Sequence, residues 1–250
     1  MNLRERLGIF RSVAMYYWKP FNKRRLKRFY AQFIQPGDLC FDLGAHLGNR
    51  TNAWLALGAK VVAVEPQPSC VQYMKRKFRN KANCTIVDKA IGEKPGFTTL
   101  YISELTPTVS TLANAEWRDI IDDDTSFDVF WEREETVEVT TFDELIETYG
   151  LPAFSKLDIE NYEVEALKGL SQPLPCLSVE FYPATIHRAI ECIDLLEKLG
   201  RYEYNWSFGE SQKLNSPDWF DAETMKAYFS KIKRGDEYGD FYARLLSVTG

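Results

Sequence analysis

The chain has 250 residues, 45% hydrophobic and 27% charged, enough for one α/β core with a short extension and with no sign of a second domain. Its five cysteines (Cys40, Cys70, Cys84, Cys176, Cys192) are odd in number and never stand in C-x-x-C spacing, which suggests neither a disulfide framework nor a thiolate zinc site, and with only His46 and His187 multi-histidine metal centres are excluded. No apolar run is long enough to span a bilayer and no secretory-signal pattern opens the chain, so a cytoplasmic location is expected.

The net charge of −5 divides unevenly: residues 1–35 carry nine Lys or Arg against the single acid Glu5, leaving −13 for the remainder. Tyr16, Tyr17, Trp18, Phe21, Phe29, Tyr30 and Phe33 are interleaved with Arg24, Arg25, Lys27 and Arg28, as on a helix that lays aromatics on the domain and leaves cations in solvent. That solvated face is preferred to a surface for acidic substrates or membrane headgroups. Nucleic acid ranks lower, because the acidic body would repel phosphate. Pro36-Gly37 then marks the boundary between a helical extension, 1–35, and a domain, 36–250.

From that boundary strands and helices alternate: strand 39–42, helix 49–56, strand 60–65, helix 69–78 after Pro68, and strand 84–88. Such βαβ units imply right-handed crossovers and a parallel sheet covered on both faces. Residues 96–102 alternate as an additional short strand. The irregular segment 103–133, with Trp117, Trp131 and Asp122-Asp123-Asp124, is long enough to be a lid or substrate loop. A strand at 137–140 leads into a helix opened by a Thr141/Glu144 capping box. Strand 153–158, helix 163–170, strand 177–181 and helix 186–199 follow, the last ending in a glycine C-cap at Gly200. Runs 202–207 and 240–248, with a helical insert around 221–232, close the sheet as a hairpin-like antiparallel edge.

The polar residues of interest fall at strand ends, where an open parallel sheet binds its ligands. The first such end reads Asp42-Leu43-Gly44-Ala45-His46-Leu47-Gly48, a glycine turn entering a helix whose amides face a ligand. Glu65 ends the second strand 21 residues after Gly44, near the roughly 20 expected for a ribose-binding carboxylate. The pyrophosphate glycine of a dinucleotide fingerprint is missing, so one ribose with a cationic amino-acid end fits better, and S-adenosylmethionine is such a ligand. Glu65 offers two acceptor oxygens to the ribose hydroxyls, and Asp42 positions the loop or meets the amino group. Adenine is expected near Asp88, Lys89 and Ala90, and Asp158 and Glu160 project from one strand end toward the sulfonium and the acceptor.

Taken together, Asp42 to Gly48 with Thr51, Val64-Glu65-Pro66, Thr141-Phe142-Asp143-Glu144-Leu145, and Lys156-Leu157-Asp158-Ile159-Glu160 with Glu163, Leu167, Lys168 and Gly169 resemble the FkbM family of S-adenosylmethionine-dependent methyltransferases. The resemblance covers about residues 36–182. It implies a Rossmann-like class I methyltransferase fold: α/β, a mostly parallel seven-stranded sheet with helices on both faces and an antiparallel last strand. It also implies O-methylation of a hydroxyl on a sugar or secondary metabolite, with a small-molecule or glycan acceptor. His46 stands where asparagine is commoner. Asn161 replaces a glycine, which it can do because asparagine tolerates a left-handed backbone.

The expected cofactor contacts are therefore Asp42, Gly44, Ala45, His46, Gly48, Thr51, Glu65, Pro66, Asp88, Lys89, Ala90 and Asp158, and the catalytic set is Glu160, His187 and Asp158. Glu160 or His187 is the expected general base, with Glu180 a further candidate. No metal is assigned; in the variant that has one, Asp158 and Glu160 hold magnesium. A nicotinamide-dependent oxidoreductase and a non-catalytic cofactor-binding scaffold are the alternatives.

Overall fold

Apolar, β-branched runs buried on both faces make the middle of the molecule, as a covered parallel sheet requires. The computed structural model describes residues 3–18, 21–112, 117, 120 and 130–246. Two helices come first, α1 (Leu3–Tyr17) and α2 (Asn22–Tyr30). The βα units follow: β1 (Leu39–Leu43), α3 (Asn49–Leu55), β2 (Lys60–Val64), α4 (Pro68–Lys77) and β3 (Cys84–Val87). Then come β4 (Ala90–Ile91), β5 (Gly96–Ile102), β6 (Arg133–Thr140), α5 (Phe142–Tyr149), β7 (Phe154–Leu157), α6 (Glu163–Lys168) and β8 (Cys176–Phe181). The chain closes with α7 (Ile186–Leu199), β9 (Tyr202–Phe208), α8 (Ala222–Phe229) and β10 (Gly239–Leu245).

The main sheet has seven strands in the order β3-β2-β1-β7-β8-β10-β9, parallel except for β10, which is antiparallel to both its neighbours. From β1 the chain winds outward through β2 and β3, then returns to lay β7 on the other side of β1. In register, Asp42 faces Ala63 on one side and Lys156 on the other. This reversal opens a crevice beyond the carboxyl ends of β1, β2 and β7. The hairpin of β9 and β10 forms as expected, but β10 is not at the edge. Phe241, Tyr242 and Ala243 are all buried, so this strand is covered on both faces and inserts between β8 and β9.

A second sheet, β4-β6-β5, stands beside the first and brings the two strands expected at 96–102 and 137–140 together. β6 starts earlier than expected, with Glu134, Thr136 and Glu138 alternating on it as exposed positions; Arg133 pairs with Glu5 and Glu135 at 2.8 and 3.0 Å. The Thr141 hydroxyl accepts from the Glu144 amide at 3.1 Å, while the Glu144 carboxylate turns to the Thr140 hydroxyl, so half of the capping box forms. Gly200 ends α7 in an extended rather than a left-handed conformation, and its need for glycine is steric: an added Cβ would lie 2.7 Å from Leu245 Cδ1.

The basic extension splits its aromatics. Leu26, Phe29 and Tyr30 of α2 join Cys40, Trp54, Phe154 and Tyr242 in one core cluster, and Phe33 stacks on Tyr242 at 5.2 Å. Arg24, Arg25 and Arg28 remain exposed, but so do Trp18 and Phe21, which the interleaving placed on the domain. Of segment 103–133, the described parts include a 3₁₀ turn at Pro107–Val109, fixed by the Trp131 indole donating to the Val109 carbonyl at 3.0 Å. Asp122, Asp123 and Asp124, and residues 247–248 of the last expected strand, lie outside the described residues. Among the described residues no helix is long and apolar enough to cross a membrane.

Candidate active site

The first strand's exit is shaped by Gly44. Its φ is +78°, and an added Cβ would lie 1.8 Å from the Asp158 carbonyl oxygen, so only glycine lets β1 and β7 end side by side. The Gly44 and Ala45 amides both donate to the Val64 carbonyl, locking the turn to β2. Asp42 is buried beneath it, accepting from the Thr51 amide at 3.0 Å and from the Thr51 hydroxyl. Those bonds tie the start of α3 to β1. Asp42 therefore positions the loop, and neither it nor Thr51 lines the crevice.

The crevice is open to solvent and holds a free volume of about 100 Å³. Gly44, Ala45, His46, Glu65, Pro66, Lys89, Ala90, Asp158 and Glu160 all line it. Gly48 does not; it packs against Phe78, where a Cβ would come within 2.5 Å of the ring. Asp88 does not either, being exposed and paired with Lys75 at 3.2 Å. The apolar wall that sequence reading missed comes from the second sheet, with Ile91 of β4 and Leu100 of β5 opposite the loop. Thr108 and Thr111 of the 103–133 segment also line the crevice.

Glu65 accepts from the His46 amide at 2.7 Å and the Gln67 amide at 2.9 Å, one bond to each carboxylate oxygen. Each oxygen keeps acceptor capacity for a ligand. Burial pushes its pKa up to about 7, against the pull of those two amides. A hydroxyl pair donating to Glu65 favours the ionised form, so ligand binding must drive off a proton below neutrality. Affinity for S-adenosylhomocysteine should rise about tenfold per pH unit on approaching pH 7 and level off above it, with the slope lost in Glu65→Gln. Calorimetric titration from pH 5.5 to 8 measures this.

A group of buried and half-buried charges lies near the crevice. Asp158 lies 3.0 Å from Arg50 and 3.5 Å from Lys156, and Lys156 also meets Asp240 at 2.5 Å. Burial alone would raise the Asp158 pKa, but Lys156 and Arg50 outweigh it and hold the carboxyl well below the usual range. Glu160 and Glu180 go the other way: burial raises both well above the usual carboxyl range, and the Asp158 carboxylate raises them further. Tyr182 bridges them, its hydroxyl 3.1 Å from Glu160 Oε2 and 2.9 Å from Glu180 Oε2. One hydroxyl has one hydrogen, so one of these contacts requires a proton on the carboxyl.

Glu160 is held in this cluster by a strained backbone. His46, Glu160 and Asn161, with φ of +50°, +54° and +68°, are three of the five non-glycine residues with positive φ among the described residues. For His46 and Glu160 this conformation costs about 1–2 kcal/mol each and persists where neighbours enforce it. Here the Thr185 hydroxyl donates to Asn161 Oδ1 at 2.9 Å, the Thr111 hydroxyl to the Glu160 carbonyl at 2.7 Å, and the Ile159 amide to Glu163 at 3.0 Å. Asparagine at 161 does adopt the conformation expected of it. His187 is not in this group: it is exposed and lines a separate cleft with Asn161, Thr185 and Arg188.

Asp158, Glu160 and Glu180 also bring carboxylate oxygens within 4.8 Å of one another, the arrangement that could hold a cation. Of the three, Asp158 already has Arg50 and Lys156 as cationic partners. Arg50 was not foreseen from sequence; on its own it reads as a surface charge of α3, and only the fold turns it toward Asp158.

A seven-stranded sheet with an inserted antiparallel seventh strand, glycine turn after the first strand and acid after the second defines a class I methyltransferase. The chain matches the Methyltransferase FkbM domain over residues 42–204 and belongs to that family. S-adenosylmethionine is the cofactor, and the crevice suits it: Glu65 for a ribose diol, the Arg50 and Asp158 pair for a zwitterionic amino-acid end, Ile91 and Leu100 for a flat ring. Similar solved structures include the precorrin-6Y C5,15-methyltransferase of Geobacter metallireducens (9% identity, 92% of this chain and 91% of that one, TM-score 0.47). The TehB-like SAM-dependent methyltransferase of Corynebacterium glutamicum (12%, 95% and 95%, 0.45) and an rRNA methylase of Streptococcus thermophilus (11%, 92% and 98%, 0.43) are others. No curated protein matches the chain.

Proposed function

We propose that this methyltransferase acts on a hydroxyl oxygen of a sugar or secondary metabolite, with Glu160 receiving the acceptor's proton. The observation that carries the reading is the placement of Glu160, whose strained backbone sets its carboxyl in the cofactor crevice and against Tyr182 and Glu180. The bound cofactor supplies an electrophilic methyl carbon. The chain has to align an oxygen with it and remove a proton, and alignment alone supplies several kcal/mol, up to about 7–11 in the best cases.

A neutral Glu160 cannot act as a base. Positive charge entering the crevice lowers the pKa of Glu160 and Glu180 alike, so the carboxyls ionise as the site is loaded. Glu160 then takes the acceptor's proton, with the Tyr182 hydroxyl linking it to Glu180. Asp158 keeps Lys156 and Arg50 in place, and Arg50 with Asp158 would hold the ends of the amino-acid moiety. A glycan or small-molecule acceptor rather than nucleic acid is supported by the acidic body of the chain. A cytoplasmic location is supported by five cysteines that are all unpaired.

Radiolabelled methyl transfer to a panel of hydroxylated glycans and natural products, run beside RNA and amine acceptors, tests the proposal. Label should enter as an alkali-stable methyl ether. Label confined to nitrogen or to RNA would overturn it.

A further inference from the structure

We propose that the outward face of α1 docks on an anionic lipid surface. The inward face of this helix is already committed. Glu5 pairs with Arg133 at 2.8 Å, Ile9 packs with Leu47 and Cys70, and the Tyr17 hydroxyl donates to the Leu47 carbonyl at 2.8 Å. Gly8 lets the helix close on its neighbour, since an added Cβ would lie 2.1 Å from the Glu104 carbonyl oxygen.

The opposite face is apolar and open. Leu3, Leu7, Phe10 and Trp18 recur at helical spacing with exposures of 83%, 51%, 53% and 63%, and Phe21, where the chain turns into α2, is 70% exposed. At 100° per residue the first four fall within about 80° of arc, with Arg4 and Arg11 along one border and Arg6 along the other. Phe10 and Trp18 meet edge to face at 5.3 Å, so the stripe is continuous.

Charge selects the occupant. Residues 1–35 are net +8 on a chain that is otherwise −13. Lys23, Arg24 and Arg25 are exposed just beyond Phe21, and Arg76 of α4 lines the groove beside Phe10. An aromatic and leucine stripe bordered by arginines matches a helix lying in the plane of a membrane, apolar face down and cations at anionic headgroups. A second copy of this chain would bring one cationic arm against another. On its inner side α1 touches the turn at Pro107, which lines the cofactor crevice, so docking holds that turn about one helix diameter, roughly 10–12 Å, from the lipid.

Co-sedimentation of the full chain with phosphatidylcholine vesicles, with and without phosphatidylglycerol, tests this. Partition into anionic vesicles should exceed that into neutral ones by about tenfold and fall with salt. The double variants Phe10→Ser/Trp18→Ser and Arg6→Glu/Arg24→Glu should each lose about tenfold in partition. S-adenosylhomocysteine binding should be unchanged in both, which shows that they fold and keeps this result separate from the methyltransferase reading. Wild-type protein staying in the supernatant with both vesicles would overturn the proposal. Equal partition into neutral and anionic vesicles would do the same, as would a wild-type dimer that dissociates in Phe10→Ser/Trp18→Ser without any vesicle binding.

Discussion

Glu160→Gln should lower the turnover number by about 10²–10⁴ at saturating cofactor, the usual worth of a positioned acid or base, while the melting temperature stays within a few degrees. Glutamine has the shape of a neutral carboxylic acid and can keep the Tyr182 contact that Glu160 makes at 3.1 Å, so the fold loses little and the chemistry loses its proton acceptor. S-adenosylhomocysteine affinity should change only a few-fold. His187→Gln, in the separate cleft, should leave the rate within about twofold, since surface changes away from a site rarely matter. Steady-state rates for both variants beside thermal melts make the comparison. Equal losses for the two, or a normal rate in Glu160→Gln, would remove Glu160 from the reaction.

Asp158→Asn should damage both stability and binding. The carboxylate is the shared partner of Arg50 at 3.0 Å and Lys156 at 3.5 Å, and its loss leaves buried positive charge matched only by Asp240 and, 3.7 Å from Arg50, Glu210. Breaking such a buried arrangement costs about 3–5 kcal/mol, or roughly 10 °C in a domain of this size. The pH dependence has a definite sign. The Asp158 carboxyl is held below its unfolded value, so its stabilisation is present above about pH 4 and disappears as the pH falls through the depressed folded value. The same charge raises Glu160 and Glu180, so in Asp158→Asn their pKa values should drop and the alkaline rise in any residual rate should move to lower pH. Melts from pH 3 to 8 and a pH–rate profile read the two effects independently.

What was legible in the sequence was local. Gly44, Glu65 and the 21-residue gap between them follow from one βαβ unit, and the helix at 186–199 and the strand at 96–102 each carry their period within themselves. Asp158 and Glu160 could be placed at a strand end because β7 is a short apolar run that stops before them. The positive φ of Asn161 followed from its standing where the family has glycine.

The rest depends on partners far apart in the chain. Lys156 reads as an interruption in an apolar strand until β10 brings Asp240 across from it, 84 residues later. The apolar wall of the crevice needs β5 to pair with β6 across a long irregular segment, which no local pattern encodes. Tertiary contacts narrow the reading of Asp42 to its loop-positioning alternative and place Asp88 and His187 outside the crevice. Asp42 is spent on Thr51, Asp88 reaches only Lys75, and His187 opens on another cleft. The extension misled in a simpler way: aromatics were assigned to the inside as a class, yet on α1 the two helix faces are both apolar enough that only Gly8 and Glu5 reveal which one packs inward.

Methyl-donor recognition by Glu65 in the crevice between β1 and β2 is the claim on which the chemistry stands, and isothermal titration of S-adenosylhomocysteine into wild-type protein and Glu65→Ala measures it directly. Wild-type protein should bind one equivalent, and the variant, with its fold verified by melting, should bind at least about a hundredfold more weakly, as expected when two charge-assisted hydrogen bonds of about 1.5–3 kcal/mol each are removed. Equal affinity in the two proteins, or no binding to either, would contradict it.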